Sequence, residues 1–513
     1  MAASGSPRRE VQGQKTAMDV GEKSDSVVVP GKSPNRANGR GGDGGKDAGQ
    51  GKCGREKRAP NTVVGTSAPS GLDRIRNVSR RDKTAKFTAL MHPVYDIGRL
   101  KRAYLSLERN AAAGVDGVTW RAYGQALEAN LQDLSGRLKR GAYRAMPVRR
   151  AWVPKTDGRL RPLGVPTIED KIVQVATVEV LNAIYEPEFL GFSYGFRPGR
   201  SQHRALDALV AGIHVKNVNW ILDLDLRDFF GTLKHEWLVR FVEHRIADQR
   251  ILRLIRKWLA AGVLEDGKRT RSEVGTVQGG SISPVLANIY LHYVMDLWVH
   301  HWREHEAIGD VIVIRYADDA VLGFEWKSDA EKLRADLEMR LGKFGLSLHP
   351  EKTRLIEFGR FAAINRQRNG QGRPETFQFL GFTHIAGRTA KGRFTVTRFT
   401  ARKRLIAKLK AVKLELLRRH NATVTELGQY LRSVLLGHYR YYGVPFNFKA
   451  LKVFRTNLGR LWKAILERRS ERTRVTWERM NRLFEQWLPQ PITYHPYPLE
   501  RHAVTTQDRS RMR

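Results

Sequence analysis

An α+β fold is predicted for the middle of this 513-residue chain, with an all-helical region after it. Two observations carry the prediction. Short strand-like runs (Ala151-Trp152-Val153, Trp220 to Leu226, Val311 to Arg315, Ala320 to Phe324) are separated by helical stretches at 169–186, 202–214, 235–261 and 283–301, and hairpin signals mixed with long helices belong to the α+β class. After about Phe399 the strand signal disappears, and amphipathic helices follow at roughly 400–420, 424–442, 448–469 and 475–487.

The first part of the chain differs from both. Residues 1 to about 70 are rich in Gly, Ser, Lys and Asp, with runs such as Gly41-Gly42-Asp43-Gly44-Gly45, and bury too little apolar surface to offset ordering entropy, so disorder is expected. Ordered structure is expected from about Val94, where Ile97, Leu100, Tyr104 and Leu107 recur at helical spacing and Gly114-Val115-Asp116-Gly117 forms a turn.

Charge points to the partner. Lys and Arg total 90 against 52 Asp and Glu, a formal net charge of +38, and the counterpart of such an excess is a polyanion, nucleic acid before an anionic membrane surface. The excess is not a tail, because residues 1–60 hold 12 Lys or Arg and 7 acids. Residues 400–482 hold 21 Lys or Arg against 5 acids, interleaved with Tyr430, Tyr439, Tyr441, Tyr442, Trp462 and Trp477. Cys53 is the single cysteine, which excludes an internal disulfide framework and a zinc site of paired cysteines. With no apolar run of signal-peptide length, and with His292 and Asp296 interrupting the run Ile289 to Trp298, an intracellular protein without a membrane span is expected.

The chemistry-bearing residues are carboxylates. Val311 to Phe324 forms two apolar strands joined by a turn that presents Asp318 and Asp319; a pair of acids there can hold a hard cation, but Asp also favours turns for its own sake. The apolar strand Trp220-Ile-Leu-Asp223-Leu-Asp225-Leu226 decides between the readings, because a core strand has no structural use for regularly placed acids and buried carboxylates need a cation. Asp223 and Asp225 share a strand face. Carboxylate and carbonyl ligands suit Mg²⁺, and a pair of such ions about 3.5–4 Å apart stabilises the attacking and leaving oxygens of a phosphoryl transfer.

At this point the chain resembles the group II intron reverse transcriptase and maturase proteins, from about residue 94 to 498. The motifs stand in order: Pro154-Lys155 to Arg161-Pro162 and on to Gly164-Val-Pro166, Ser193-Tyr194-Gly195-Phe196-Arg197-Pro198, the strand with Asp225, Gln278-Gly279-Gly280-Ser-Ile-Ser283-Pro284, Tyr316-Ala317-Asp318-Asp319, Pro350-Glu351-Lys352-Thr353 and Phe379-Leu380-Gly381-Phe382. The resemblance implies a right-hand polymerase fold of fingers and palm, followed by an α-helical thumb and a maturase domain. The implied divisions are a disordered basic segment 1–75, a helical extension of the fingers 76–150, fingers and palm 151–385, a thumb 386–425, and a maturase-type RNA-binding domain with a short tail 426–513.

Carried over by position, the resemblance makes Asp225 and Asp318 ligands of two Mg²⁺ ions, with the Leu226 carbonyl completing the site, Asp319 beside it and Asp223 a neighbour. Lys155 and Arg161 resemble residues that grip the incoming dNTP, Arg161 by bidentate contact with phosphate oxygens; a solvated charge pair is the alternative. Phe230 stands where an aromatic ring would clash with a 2′-hydroxyl, while core packing is the alternative for it and the better reading of Phe229. Gln278 would touch the nucleotide from the opposite side, beside Gly279 and Gly280. Val277 and Gly231 depart from the family, which usually has proline and often an acid there. Lys352 resembles a lysine acting near the departing pyrophosphate, with a surface lysine as the alternative. Arg432, Arg440, Lys463, Arg468, Arg469, Arg472 and Arg474 are the candidate RNA contacts of the basic helical region.

The expected activity is RNA-directed DNA polymerisation by a group II intron protein that also binds its intron RNA, assists splicing and primes on a DNA target; no membrane partner is implied, and a homodimer is open. No Cys-bearing endonuclease module follows in this sequence, so second-strand nicking is not expected. A bacterial-type cytoplasmic setting is expected, with an organelle also open. Three other readings stand beside this one: a splicing factor with a vestigial polymerase, which predicts lost acids; an RNA-dependent RNA polymerase, against which Phe230 argues; and a reverse transcriptase recruited to phage defence.

Overall fold

The computed structural model describes residues 71–154, 160–265, 268–270, 275, 279–469 and 475–499. Among them the strands are β1 (Val148–Pro154), β2 (Leu160–Val165), β3 (Trp220–Asp225), β4 (Val263–Glu265), β5 (Lys268–Thr270), β6 (Val311–Tyr316), β7 (Asp319–Phe324), β8 (Arg354–Glu357), β9 (Phe377–Phe379), β10 (Phe382–Arg388) and β11 (Phe394–Thr400). They form sheets of order β2-β1-β4-β5, β6-β7-β3-β8 and β11-β10-β9, embedded among helices. The α+β class is thus observed.

The antiparallel sheet β6-β7-β3-β8 is the frame of the site. Its apolar runs divide by the two-residue period of a strand. Ile221, Ile312, Ile314 and Val321 pack in one buried cluster with the helix Gln202–Val215. Leu222, Leu224, Val313 and Leu322 pack in another with the helices Ile168–Tyr185, Ser283–Leu291 and Lys327–Lys343. Covering both faces contributes roughly 1.5–3 kcal/mol for each such side chain, and leaves the strand ends as the place where polar groups can stay wet.

Beyond Thr400 the helices Arg402–Arg418, Val424–Tyr442, Phe448–Glu467 and Trp477–Trp487 close their own core, in which Leu427, Leu431, Leu451, Phe454, Leu458 and Trp462 are wholly buried. Thr423 and Glu426 form a reciprocal capping box at the start of the second of these helices. Buried Asn447 ties this core to the β9–β11 sheet: it accepts from the Thr400 N–H at 2.9 Å and donates to Thr400 Oγ1 and the Tyr442 carbonyl, each at 2.8 Å.

Four differences from expectation stand out. Order begins before Val94: the helix Gly71–Arg81 buries Ser79, whose hydroxyl donates to the Ile184 carbonyl at 2.6 Å, a docking that its arginine-rich sequence conceals. The stretch 235–261 is two helices, His235–Glu243 and Gln249–Ala260, because the intervening backbone bonds Phe87 and Asp248 caps the second helix while accepting the Leu90 N–H at 2.7 Å. The stretch 283–301 contains a π turn, His292–Asp296. The divisions expected at 75/76, 150/151, 385/386 and 425/426 each fall inside an element, namely the first helix, β1, β10 and the helix Val424–Tyr442; changes of composition mark where signals change, whereas packing runs across them. No helix among the described residues is long and apolar enough to cross a membrane.

Candidate active site

The turn between β6 and β7 is Ala317-Asp318, closed by the pair Tyr316 and Asp319. Ala317 takes a left-handed φ of +58°. On the other side of β7, Asp319 stands opposite Asp225 at the end of β3. Asp223 and Asp225, like Trp220 at the start of β3, are half-buried, and the acids alternate with buried Leu222 and Leu224. Two segments 93 positions apart thereby deliver four carboxyl groups to one strand end, which is the convergence the two-residue spacing of the acids implied.

The electrostatics follow. Burial raises the Asp318 carboxyl above its usual range and Asp225 adds to the rise, while Arg161 opposes it. Asp319 is pushed up to about 7, first by desolvation and then by Asp318, Asp225 and Asp223. Its surface is open to solvent; the cleft walls crowd the group without covering it. Asp223 is pushed up to about 6, by burial and then by Asp225, against Arg354, whose guanidinium lies 3.7 Å away. Negative charge is therefore concentrated beyond what the nearby cations offset.

The neighbouring motifs converge on this end. The His349 N–H donates to the Asp225 carbonyl at 2.8 Å and the Arg227 N–H to the Ser347 carbonyl at 2.9 Å, so the Leu226–Leu348 bridge is made by the flanking residues and does not use the Leu226 carbonyl. The chain then turns and brings Lys352 Nζ to 2.5 Å from Asp225 Oδ2. Arg161 is exposed on β2, near enough for its charge to act on Asp318. Gly279, at φ +116°, lies so close to β2 that a Cβ would come 2.5 Å from the Gly164 carbonyl oxygen, so the glycine turn packs directly on that strand. Phe229 is buried, its ring 6.2 Å from Tyr290, whereas Phe230 beside it is only half-buried. Lys155 and Gln278 lie outside the described residues.

These residues suit divalent cations. The donor set is all oxygen, and the carboxyl groups, raised first by burial and then by one another, would have their charged forms stabilised by a cation. Among the described residues no three His, Cys, Asp or Glu side chains gather as a ready metal cage. Mg²⁺ needs none, since it is commonly held by one or two carboxylates together with substrate phosphates and water.

Residues that sequence reading missed surround the turn. Arg315, 1% exposed, and Asp296, 0% exposed, form an ion pair beneath it, joined by Ser193 and Asn288. Their polar types inside apolar stretches were the available signal.

The candidate RNA contacts separate. Arg432, Arg440, Arg468 and Arg469 are exposed on the C-terminal helices and just past them. Lys463 is paired with Glu467 and sits 5.3 Å from the centre of the Trp477 ring, so its charge is already engaged. Arg472 and Arg474 lie outside the described residues.

The family model described as reverse transcriptase (RNA-dependent DNA polymerase) matches residues 153–384, which contain the carboxylate centre. Protein YkfC of Escherichia coli (strain K12) is 33% identical over 287 residues, covering 50% of this chain and 74% of that protein. Group II intron-encoded protein LtrA of Lactococcus lactis subsp. cremoris is 35% identical over 238 residues, covering 45% of this chain and 39% of LtrA. An uncharacterized 91 kDa protein in the cob intron of Schizosaccharomyces pombe is 34% identical over 241 residues, 45% of this chain and 30% of that protein. The chain thus spans most of the first and less than half of the other two, and by the matched domain, the shared motifs and these relatives it belongs to the family of group II intron-encoded reverse transcriptases and maturases.

Proposed function

We propose that this chain is an RNA-directed DNA polymerase of a group II intron, adding dNTPs to a primer on an RNA template and binding the intron RNA through its basic helices. The observation that carries the proposal is the register that sets Asp225 opposite Asp319 and so beside the Asp318 turn. In the hand-like division, β1 and β2 belong to the fingers, the sheet with the acids to the palm, and the helices after Thr400 to thumb and maturase domain.

Asp225, Asp318 and the Leu226 carbonyl would hold two divalent ions, Mg²⁺ by donor type, with Asp319 beside them; when bound they stabilise the attacking and leaving oxygens. The remaining work falls to the chain. The primer 3′-oxygen attacks the α-phosphorus of the dNTP, its proton passes to solvent water, and the bond to pyrophosphate breaks. Arg161, with Lys155 from the same motif, grips the triphosphate and aligns that bond with the 3′-oxygen. Lys352 Nζ, already at the carboxylate end of the cleft, is placed to give a proton to the leaving pyrophosphate oxygen. The half-buried Phe230 ring fills the space of a 2′-hydroxyl, and Gln278 closes the nucleotide from the other side. Arg432, Arg440, Arg468 and Arg469, with Arg472 and Arg474, supply phosphate contacts on the RNA; Lys463 stays with Glu467.

The test is extension of a DNA primer on an RNA template with dNTPs and Mg²⁺. Asp225→Ala and Asp318→Ala should each lower the rate by about 10⁴-fold or more while leaving RNA binding in place, as expected for members of one catalytic unit. Equal activity in either variant would sink the proposal.

A further inference from the structure

Beneath the carboxylate turn lies an arginine that the chemistry above does not use. Arg315, in β6, is 1% exposed and its guanidinium makes five hydrogen bonds. Nε and Nη2 donate to the two oxygens of Asp296 at 2.7 and 2.6 Å. Nη2 also donates to Ser193 Oγ at 2.7 Å, and Nη1 to the Ala317 carbonyl at 2.8 Å and Asn288 Oδ1 at 3.1 Å. These use the full donor capacity of the group. Asn288 passes the connection on, its Nδ2 donating to the Gly195 carbonyl at 2.7 Å. Gly195 lies against the turn so tightly that a Cβ would come 2.2 Å from the Ala317 nitrogen. Asp296, fully buried, ends the π turn His292–Asp296, and single π turns inside α-helices are frequent at functional places.

A buried ion pair is weak evidence for stability, because apolar groups of the same volume often serve as well. Here it joins the turn, the segment Ser193–Gly195, the helix Ser283–Leu291 and the π turn through one planar group. The turn needs such a hold, since a left-handed alanine costs about 1–2 kcal/mol. We propose that Arg315, seated on Asp296, is the positioning residue of the Asp318 turn: it fixes that carboxylate against Asp225 at the spacing divalent cations require. The inference rests on the polymerase reading of the same site.

Arg315→Lys keeps the charge but offers a flexible ammonium in place of the planar fork. Ser193→Ala removes a single acceptor and is the milder variant should Arg315→Lys not fold. Expected for Arg315→Lys is a fall in kcat of about a hundredfold, the usual consequence of an ångström's misplacement, with KM for dNTP and affinity for primer–template unchanged. Ser193→Ala should lose about tenfold or less. In both, the Mg²⁺ concentration for half-maximal extension should rise, and Mn²⁺ titrated into the free protein, followed by electron paramagnetic resonance, should bind more weakly while thermal unfolding stays cooperative. Mn²⁺ binding equal to wild type in the folded variants, with activity lost only in proportion to the unfolded fraction, would overturn the inference. An inactive wild-type protein would overturn the polymerase reading instead, and the Mn²⁺ titration would still decide the role of Arg315.

Discussion

At the carboxylate centre, Asp223, Asp225, Asp318 and Asp319 are held on a sheet covered on both faces, and the turn that carries two of them is bonded from below by Arg315. Along the C-terminal helices, Arg432, Arg440, Arg468 and Arg469 stand exposed over a closed apolar core around Trp462. Like charges have been forced together in the first region and spread apart in the second. Forcing them together makes each position irreplaceable, since a rigid geometry must exist before a ligand arrives. Spreading them makes the set important and each member minor, because phosphate contacts add up with little demand on angle.

That contrast can be broken by salt. Binding of RNA through the basic helices should weaken by about 10³-fold between about 50 and 200 mM salt if six or more phosphates are contacted, whereas kcat on saturating primer–template should hardly move. A filter-binding series beside an extension assay measures both, and a parallel fall of the two would erase the distinction between the regions.

Acid distinguishes them next. His438, in the helix Val424–Tyr442, is stacked on Phe454 at 3.8 Å, and burial lowers its imidazole from 6.5 to about 4, with Lys408 adding to the effect. The folded value lies below the unfolded one, so its contribution is fully present above pH 6.5 and is lost as pH falls toward 4. Over that window the C-terminal core should lose about 3 kcal/mol at most, read as hydrogen exchange of its helices against pH. His438→Leu should flatten the acid limb; an unchanged slope would remove this histidine from the account.

The smallest effect sharpens the first region. Phe230→Ala should raise ribonucleotide over deoxynucleotide incorporation by about tenfold, the range expected when a pocket gains room for one small group. Competition between rNTP and dNTP at fixed template measures it, and unchanged selectivity would return Phe230 to a packing role with Phe229.

Much of this was legible beforehand because the signals are local. The alternation of Leu222, Asp223, Leu224 and Asp225 prescribes a core strand with both acids on one face, and the apolar runs around Asp318 prescribe a hairpin. The family blocks then supplied order. What stayed hidden depends on partners distant in sequence: Asp248 starts a second helix while holding the Leu90 N–H, the helix Gly71–Arg81 is fixed by Ile184, and Arg315 reads as a lone charge in a strand until Asp296 and Ser193 arrive. Lys463 is the converse, a cation that the composition counts as available and Glu467 has already engaged.

The contact between Gly195 and Ala317 has a consequence for anyone reshaping this protein by mutagenesis and selection. With a Cβ at 195 meeting the Ala317 nitrogen at 2.2 Å, randomising position 195 alone should return only glycine, however permissive the screen. Changing position 317 does not open that space, because every residue there keeps its backbone nitrogen, even though asparagine or glycine would accept the +58° φ. As long as the turn keeps its path, position 195 is closed to side chains, and a library that spends diversity there samples mostly dead sequences.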